Sequence, residues 1–236
     1  MKNQILFLII FSLFLNSCNN DSKIKSNKDV ESNILPNDEV LSDIDGNTYK
    51  TIKINGRIWM ESNLKTTKFS NGDPIPNLKK DSEWKNTNGP AYCLFDNSID
   101  NFDFGSLYNL KTIIDKRGIC PKGWNLPTNE ETNWNKNFDK KILNDKLFNS
   151  KILGWRSISD DFENDEFSGF FKETELKDGS TIYWLGKSYL DDNYDTENPN
   201  DKLIRGYVLG DTGGEYYWGN KYDGLPCRCV KDTIKN

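Results

Sequence analysis

The first pattern along the chain is a continuous apolar run over residues 5–15, ILFLIIFSLFL, which only Ser12 interrupts. A helix of this length spans about 16 Å, roughly half of a bilayer core, so it is too short to cross a membrane. Lys2 precedes the run, and the sequence Leu-Asn-Ser-Cys ends it at Cys18. This pattern is typical of a lipoprotein signal peptide. We therefore predict a signal peptide over residues 1–17 and lipid attached to Cys18.

The residues that follow are polar, and the apolar pattern resumes only near residue 42. Residues 18–41 are rich in Asn, Ser, Asp and Lys, and cannot bury enough surface to offset their chain entropy. We expect a flexible tether there. One domain should occupy residues 42–232, which contain all seven tryptophans, and residues 233–236 form a tail.

The first half of the predicted domain combines a hairpin with two helices. Strand-favouring residues alternate over residues 48–54, an Asn-Gly pair follows, and residues 57–61 return, which predicts a β-hairpin. Leu107, Leu110 and Ile113 stand at helical spacing and predict a first helix within residues 104–114. Thr128 and Glu131 form a capping-box pattern, which predicts a second helix over residues 129–138.

The second half of the predicted domain consists of short aromatic stretches separated by glycines and acidic residues. These stretches predict strands at residues 167–171, 180–186, 203–210, 215–219 and 225–231. Because the helices come first and the short strands last, the fold class that we expect is α+β.

Charge and residue usage then exclude several kinds of function. The formal net charge is −5, and no basic run follows the signal peptide, so we expect no binding to nucleic acid. The chain has no histidine, which removes the commonest general base and metal ligand. This absence excludes much of hydrolase chemistry. Asp and Glu are plentiful, but no spacing singles out a carboxylate pair for glycoside hydrolysis, so we name no catalytic residue.

Four cysteines remain besides Cys18. An exported chain meets conditions in which such thiols usually pair, and four cysteines allow three connectivities. In an extended strand Cys227 and Cys229 would share a face and be poorly placed to bond each other, so each needs a distant partner. We favour Cys120 with Cys229 and Cys93 with Cys227. A four-thiolate zinc site is the alternative, although the usual Cys-x2-Cys knuckles are absent.

Acidic segments raise the question of calcium. The Asp-x-Asp-Gly sequence that starts at Asp43 does not match an EF-hand loop, because Gly46 and Ile54 occupy the wrong positions. A tight turn is therefore the better interpretation. The acidic stretches over residues 160–166 and 191–201 have enough oxygen ligands for calcium, and solvated loops are the alternative.

Several motifs together resemble one known family. The stretches DIDGNTYKTIKINGRIWMESNLKT, NGDPIP, GPAYCLFDN, FGSLYN, ICPKGWNLPTNEE and CRCVKD, spread over residues 42–232, are similar to the Fibrobacter succinogenes major paralogous domain family. LPTNEE and the closing RCV are also similar to formylglycine-generating-enzyme-like domains. That second resemblance implies a C-type-lectin-like fold of two helices and a twisted, loop-rich, mostly antiparallel sheet. Neither resemblance supplies an activity.

The functional expectation is a non-catalytic binding module on a lipid-anchored exported protein, with a glycan or a protein as ligand. Aromatic side chains stack on sugars and acidic loops hold calcium in such modules. The candidate ligand-binding residues are Trp184, Trp218, Asp191, Asp192, Asp195 and Glu197. The alternatives are an enzyme acting on an exported polymer and a purely structural surface protein. Asn19 after Cys18 favours the outer membrane, since an Asp there can retain lipoproteins at the inner one.

Overall fold

The structure is a computed structural model that describes residues 34–54, 56–128, 154–158, 169–172, 181–184, 204–210, 213–219 and 222–232. The predicted signal peptide, the first part of the predicted tether and the predicted helix over residues 129–138 lie outside these ranges.

Twelve strands and two short α-helices form within the described ranges. The strands are β1 (Ile34–Ser42), β2 (Thr48–Ile54), β3 (Arg57–Met60), β4 (Tyr92–Cys93), β5 (Leu107–Tyr108), β6 (Trp124–Asn125), β7 (Gly154–Ser157), β8 (Gly169–Lys172), β9 (Thr181–Trp184), β10 (Ile204–Gly210), β11 (Gly213–Gly219) and β12 (Val230–Lys231). The helices are α1 (Asp81–Asn86) and α2 (Leu110–Ile113), and two 3₁₀ segments cover Phe95–Asn97 and Ile99–Phe104.

The main sheet has the strand order β1-β2-β3-β12-β6 and is antiparallel throughout. The predicted hairpin is confirmed, since β2 and β3 pair from Thr51 opposite Met60 to Ile54 opposite Arg57. The late strand β12 lies between β3 and β6, where Val230 pairs with both neighbours. Strand β12, from the C-terminal part of the domain, therefore lies inside a sheet whose other strands come from the N-terminal part.

Strand β1 begins at Ile34, earlier than the predicted domain start at residue 42. It pairs with β2 along its length, with an irregularity between Asn37 and Val40. Residues 34–41, which we expected to belong to a flexible tether, therefore form most of a strand of the main sheet. The sequence did not predict this strand because its composition is polar. An edge strand has one face and one edge in water, so it tolerates polar residues, and proline and bulges, such as Pro36 and the irregularity here, are common on edge strands.

The predicted first helix over residues 104–114 is wrong for most of its length. Strand β5 occupies its middle, and only the four residues of α2 are helical. Gly105 has a φ of +93°, and a Cβ atom there would overlap the Asn63 side chain. Asn109 then starts α2 by accepting a hydrogen bond from the Thr112 amide at 3.0 Å. Tertiary packing thus interrupts a segment with helical spacing.

Two hydrophobic clusters form the core. The main cluster lies against the five-stranded sheet and includes Tyr49, Tyr108, Trp124 and both cysteines near the end of the chain. The second cluster is built on Trp84, and its members are Trp84, Ala91, Cys93, Phe95, Leu107 and Ile158. Strands β4 and β5 separate these clusters, because alternate residues of β5 enter different ones.

Arg156 attaches β7 to the second cluster. Its side chain is fully buried, and the guanidinium carbon lies 4.5 Å from the centre of the Trp84 ring. Its nitrogens donate to the carbonyls of Leu78 at 2.9 Å and Lys79 at 3.1 Å, and to the carboxylate of Asp81. Arg156 therefore fixes β7 to the residues that lead into α1.

Strands β7 to β11 form smaller antiparallel sheets, in the orders β7-β8 and β11-β10-β9. Four of the predicted late strands are thus confirmed at β8, β9, β10 and β11, and the fifth is confirmed only for its last residues, in β12. Mixed helices and strands, antiparallel sheets and a disulfide confirm the α+β prediction. In the described ranges no helix combines the length and the apolar character that crossing a bilayer demands.

Candidate binding cleft

One predicted disulfide is present and the other is not. Cys120 and Cys229 are bonded, 109 residues apart in the sequence, as predicted. Cys93 and Cys227 are free thiols, and both are buried. The predicted bond between Cys93 and Cys227 is therefore wrong, and the bond that does form removes two of the four thiolates that the zinc alternative needs.

The register of β4 and β5 explains why the second bond is absent. Cys93 pairs with Leu107, whereas the next residue, Tyr108, pairs with Leu225. Neighbouring residues of a strand face opposite sides, and residues two apart share a side. Cys93 accordingly lies with Leu107 in the second cluster, and Cys227 lies with Tyr108 and Leu225 in the main one.

Burial makes both free thiols unreactive. It raises the pKa of Cys93 to about 12, although the neighbouring Arg156 guanidinium acts in the opposite direction. Burial also raises the pKa of Cys227 well above its ordinary value. Since the thiolate is the nucleophile and the metal ligand, neither cysteine is prepared for catalysis at neutral pH.

In the acidic turn at the start of the domain, the first carboxylate, that of Asp43, is hydrogen-bonded by nearby residues of the chain. Asp43 accepts hydrogen bonds from the amides of Asp45 at 3.0 Å and Asn47 at 2.9 Å, and from the Tyr49 hydroxyl at 2.6 Å. The Gly46 amide donates to the Asp43 carbonyl at 3.1 Å, and Gly46 has a φ of +85°. The predicted tight turn is confirmed.

Its second carboxylate, that of Asp45, binds the next segment of the chain. It accepts hydrogen bonds from the Thr67 hydroxyl at 3.0 Å and the Thr66 hydroxyl at 3.1 Å, and pairs with Lys68 at 2.9 Å. Burial alone would raise the pKa of Asp45, but the Thr67 amide, Lys68 and the hydroxyls together lower it. This turn therefore has a structural role. Among the described residues, no group of three or more His, Cys, Asp or Glu side chains could hold a metal ion.

A cleft of about 550 Å³ opens on another part of the surface. Most of its lining comes from residues 113–128, and Ser70 and Asp232 complete it. The lining thus includes the ICPKGWNLPT stretch that the sequence comparison singled out as a motif. We take this cleft as the candidate functional site.

Two tight turns shape the rim of the cleft, over residues 115–118 and 121–124. In each turn the fourth amide donates to the first carbonyl, at 3.0 Å and 2.9 Å respectively. Lys116 and Lys122 occupy the first central position of the two turns, and both are exposed. Gly123, at φ +80°, takes the left-handed position that glycine adopts without strain. The two turns therefore present a pair of lysines beside the cleft.

Arg117 is held at the same rim by two carboxylates. It donates to Asp115 at 2.8 Å and 2.9 Å and to Asp73 at 3.0 Å, and its guanidinium carbon lies 3.8 Å from the Phe69 ring centre. The hydrogen bonds from Arg117 lower the pKa of Asp115, and those from Asn71 and Arg117 lower the pKa of Asp73. Both carboxylates are ionised at neutral pH and already paired with a cation.

The disulfide and Asp232 also contribute to the cleft. Cys120 belongs to the lining and is bonded to Cys229. The Ser70 hydroxyl donates to the Cys120 carbonyl at 2.6 Å, and the Asn125 side-chain amide donates to the Asp232 carboxylate. Main-chain, disulfide and side-chain bonds thus join three distant segments of sequence around one concavity.

The predicted ligand-binding tryptophans lie in the three-stranded sheet. Trp184 on β9 pairs with Gly206 on β10, whereas Trp218 on β11 pairs with Arg205. Adjacent rows of a sheet belong to opposite faces, so the two tryptophan positions belong to opposite faces of this sheet. The predicted acidic ligands, Asp191, Asp192, Asp195 and Glu197, lie outside the described residues. Ligand binding by these six residues stays a prediction.

Sequence reasoning did not single out the lysines and Arg117 as site residues. Their local signal was present, since Lys122 precedes a glycine in Pro-Lys-Gly-Trp, which is a turn pattern. What the sequence lacks is the tertiary information that brings Ser70 and Asp232 to the same place. The motif indicated a family, but the sequence alone did not show that the motif residues line a cleft.

Comparison with known proteins agrees with the motifs. The family model of the Fibrobacter succinogenes major domain matches residues 52–139, a shorter stretch than the resemblance over residues 42–232. The match includes most of the cleft lining. No curated protein and no solved structure matches the chain. Residues 52–139 thus match the family to which the sequence motifs pointed.

Proposed function

We propose that this protein is a non-catalytic module that binds a glycan in the cleft beside Lys116 and Lys122. The observation that carries the proposal is the cleft itself, about 550 Å³ in volume and built by the motif residues of the family domain. Sites for small ligands usually have volumes of about 300 to 1,000 Å³. A concavity of this size suits a few sugar units.

The chemistry of the lining favours a sugar over a flat protein partner. A stable protein interface covers about 800 Å² per partner and is not organised around one concavity. The lining includes the exposed Asn125 side chain and the Lys122 ammonium group, which suit the hydroxyls and ring oxygens of a sugar. A glycan is therefore the better of the two ligand classes that the sequence suggested.

The carboxylates of the cleft favour binding over hydrolysis. A glycosidase needs a carboxylic acid with a raised pKa beside a second, free carboxylate. Asp115 has a lowered pKa and is bound by Arg117, and Asp232 accepts a hydrogen bond from Asn125. Both carboxylates thus support the walls of the cleft.

A glycan array probed with the full-length protein in detergent tests this function. We expect saturable binding to one group of glycans and no release of reducing sugar. Asn125→Trp should abolish binding, since a bulky ring would fill the cleft at an exposed position. Thr48→Trp, at an exposed position of β2 that does not line the cleft, should bind normally. Repeating the array with calcium and with a chelator tests the predicted calcium loops.

Three results would contradict the proposal. Binding to no glycan, with capture of the chain only by protein partners, would mean that the cleft has another ligand. Release of reducing sugar would favour the alternative of an enzyme acting on an exported polymer. Equal binding by the Asn125→Trp and Thr48→Trp variants would place the glycan elsewhere on the molecule.

We also propose that a lipid on Cys18 anchors the module to the cell envelope, facing the periplasm or the surface. The support is the apolar run over residues 5–15 followed by Cys18. Metabolic labelling with palmitate should label the wild-type protein and lose the label in Cys18→Ala. The Cys93→Ala variant is the matched control, and equal labelling of Cys18→Ala and the wild type would reject the anchor.

A C-type-lectin-like arrangement of the domain forms part of the proposal. Its support is the similarity of LPTNEE and RCV to formylglycine-generating-enzyme-like domains, together with antiparallel strands tied by the Cys120–Cys229 bond. An experimental structure that includes residues 129–153 and 185–203 would test this arrangement.

A further inference from the structure

We infer that the ligand of the cleft is an acidic glycan, whose carboxylate or sulfate groups are bound by Lys116 and Lys122. The inference rests on the proposed function and adds the chemical class of the ligand. Four observations carry it: the two exposed lysines outside ion pairs, the net positive charge of the described lining, the free amides of the Lys122 turn, and the burial of the aromatic ring in the cleft.

Lys116 and Lys122 give the lining of the cleft an excess of positive charge. The lining has three cationic side chains, those of Lys116, Arg117 and Lys122, and two carboxylates, those of Asp115 and Asp232, so its formal net charge is +1. Arg117 pairs with Asp115 and Asp73, and Asp232 accepts a hydrogen bond from the neutral Asn125 amide. Lys116 and Lys122 lie at exposed turn positions and form no ion pair within the described part of the chain. A ligand that enters the cleft therefore meets two exposed ammonium groups that are not held in ion pairs there, even though the whole chain has a net charge of −5.

The turn over residues 121–124 adds uncharged donors beside one of these lysines. The amides of Lys122 and Gly123 donate to no acceptor in the described residues. No atom lies within 4 Å of the position that a Cβ atom of Gly123 would occupy, so a ligand can approach this backbone. Free turn amides next to a cation form a favourable environment for an anionic oxygen.

A neutral sugar would make fewer favourable contacts in this cleft than an acidic one. Neutral sugars usually stack on an exposed aromatic face, which supplies much of their binding energy. The aromatic residue in the described lining is Trp124, and only 5% of it is exposed. Charge and hydrogen bonds, rather than stacking, are what the cleft offers.

Binding of three polymers by the full-length protein in detergent tests the inference. The probes are polygalacturonate, which carries carboxylates, dextran sulfate, which carries sulfates, and neutral dextran. We expect at least one acidic polymer to bind at low salt, more weakly as salt rises, and neutral dextran not to bind. The Lys116→Ala/Lys122→Ala variant should bind about tenfold more weakly, as the loss of hydrogen bonds to charged groups implies.

Lys50→Ala/Lys53→Ala is the matched control. Lys50 and Lys53 are exposed on β2 and do not line the cleft, so this variant also loses two positive charges without changing the site. Equal weakening in both double variants would mean that only the overall charge matters, and would overturn the inference. So would unchanged binding in the Lys116→Ala/Lys122→Ala variant.

The remaining outcomes separate this inference from the proposed function. If neutral glycans on the array bind in the cleft, as the Asn125→Trp variant reports, and acidic polymers do not, the inference is wrong and the function stands. If no glycan binds in either assay, both are wrong. Preference for polygalacturonate over dextran sulfate, or the reverse, identifies the carboxylate or the sulfate as the bound group.

Discussion

Replacing Cys120 and Cys229 together by alanine is expected to lower the free energy of unfolding by about 4 kcal/mol. The bond joins residues 109 apart, so it restricts a long loop of the unfolded chain. It also connects the cleft wall to the strand that enters the centre of the main sheet. Urea unfolding with and without a thiol reductant measures the effect, because reductant should shift the wild-type midpoint and leave the double variant unchanged.

Cys227→Ala provides the control for this experiment. Cys227 is a buried free thiol two residues before Cys229, so its loss removes packing without removing a covalent bond. We expect a cost of about 1 kcal/mol and an undiminished response to reductant. If reductant leaves the wild-type midpoint unchanged, the bond does not stabilise the fold. If the Cys227→Ala variant no longer responds to reductant, Cys227 and not Cys229 forms the bond.

Arg156→Met is expected to destabilise the domain by about 3 kcal/mol. The substitution leaves the carbonyls of Leu78 and Lys79 without the donors that Arg156 supplies, and it empties a fully buried polar position. It also removes the guanidinium from between the rings of Trp84 and Phe170, which lie 4.5 Å and 5.3 Å from its carbon. Methionine retains most of the apolar volume, so the measured change in urea unfolding reports mainly the lost polar contacts.

Asp81→Asn separates the ion pair from these contacts. The Asp81 side chain is 57% exposed, so solvent screens its charge, and we expect a cost below about 1 kcal/mol. A cost of Arg156→Met as small as that of Asp81→Asn would mean that the guanidinium is solvated. Equal and large costs would instead make the ion pair the main attachment of β7.

The features that could be predicted from the sequence are those that depend on neighbouring residues. The β2–β3 hairpin depends on alternation and a tight turn with Gly56, and the turn at Gly46 depends on Asp43 and Asn47 nearby. The late strands were predictable for the same reason, since each is a short aromatic stretch between turn residues. Such features depend little on what packs against them.

The features that failed depend on distant segments. Helical spacing over residues 104–114 could not reveal that Asn63 packs where a side chain at Gly105 would lie. The pairing of cysteines could not be completed, because Cys93 and Cys227 lie on opposite sides of β5. The cleft joins segments near residues 70, 120 and 232, so its charge balance also required the tertiary structure.

The central position of β12 has a consequence for the synthesis of the protein. The ribosome completes β3 and β6 long before it makes Val230, which pairs with Trp59 on one side and Asn125 on the other. Until residues 223–232 emerge, β3 is paired on its β2 side alone, β6 lacks its partner strand β12, and the disulfide cannot form. The nascent chain therefore stays incompletely folded until residues 223–232 have been made, a state that proteases recognise.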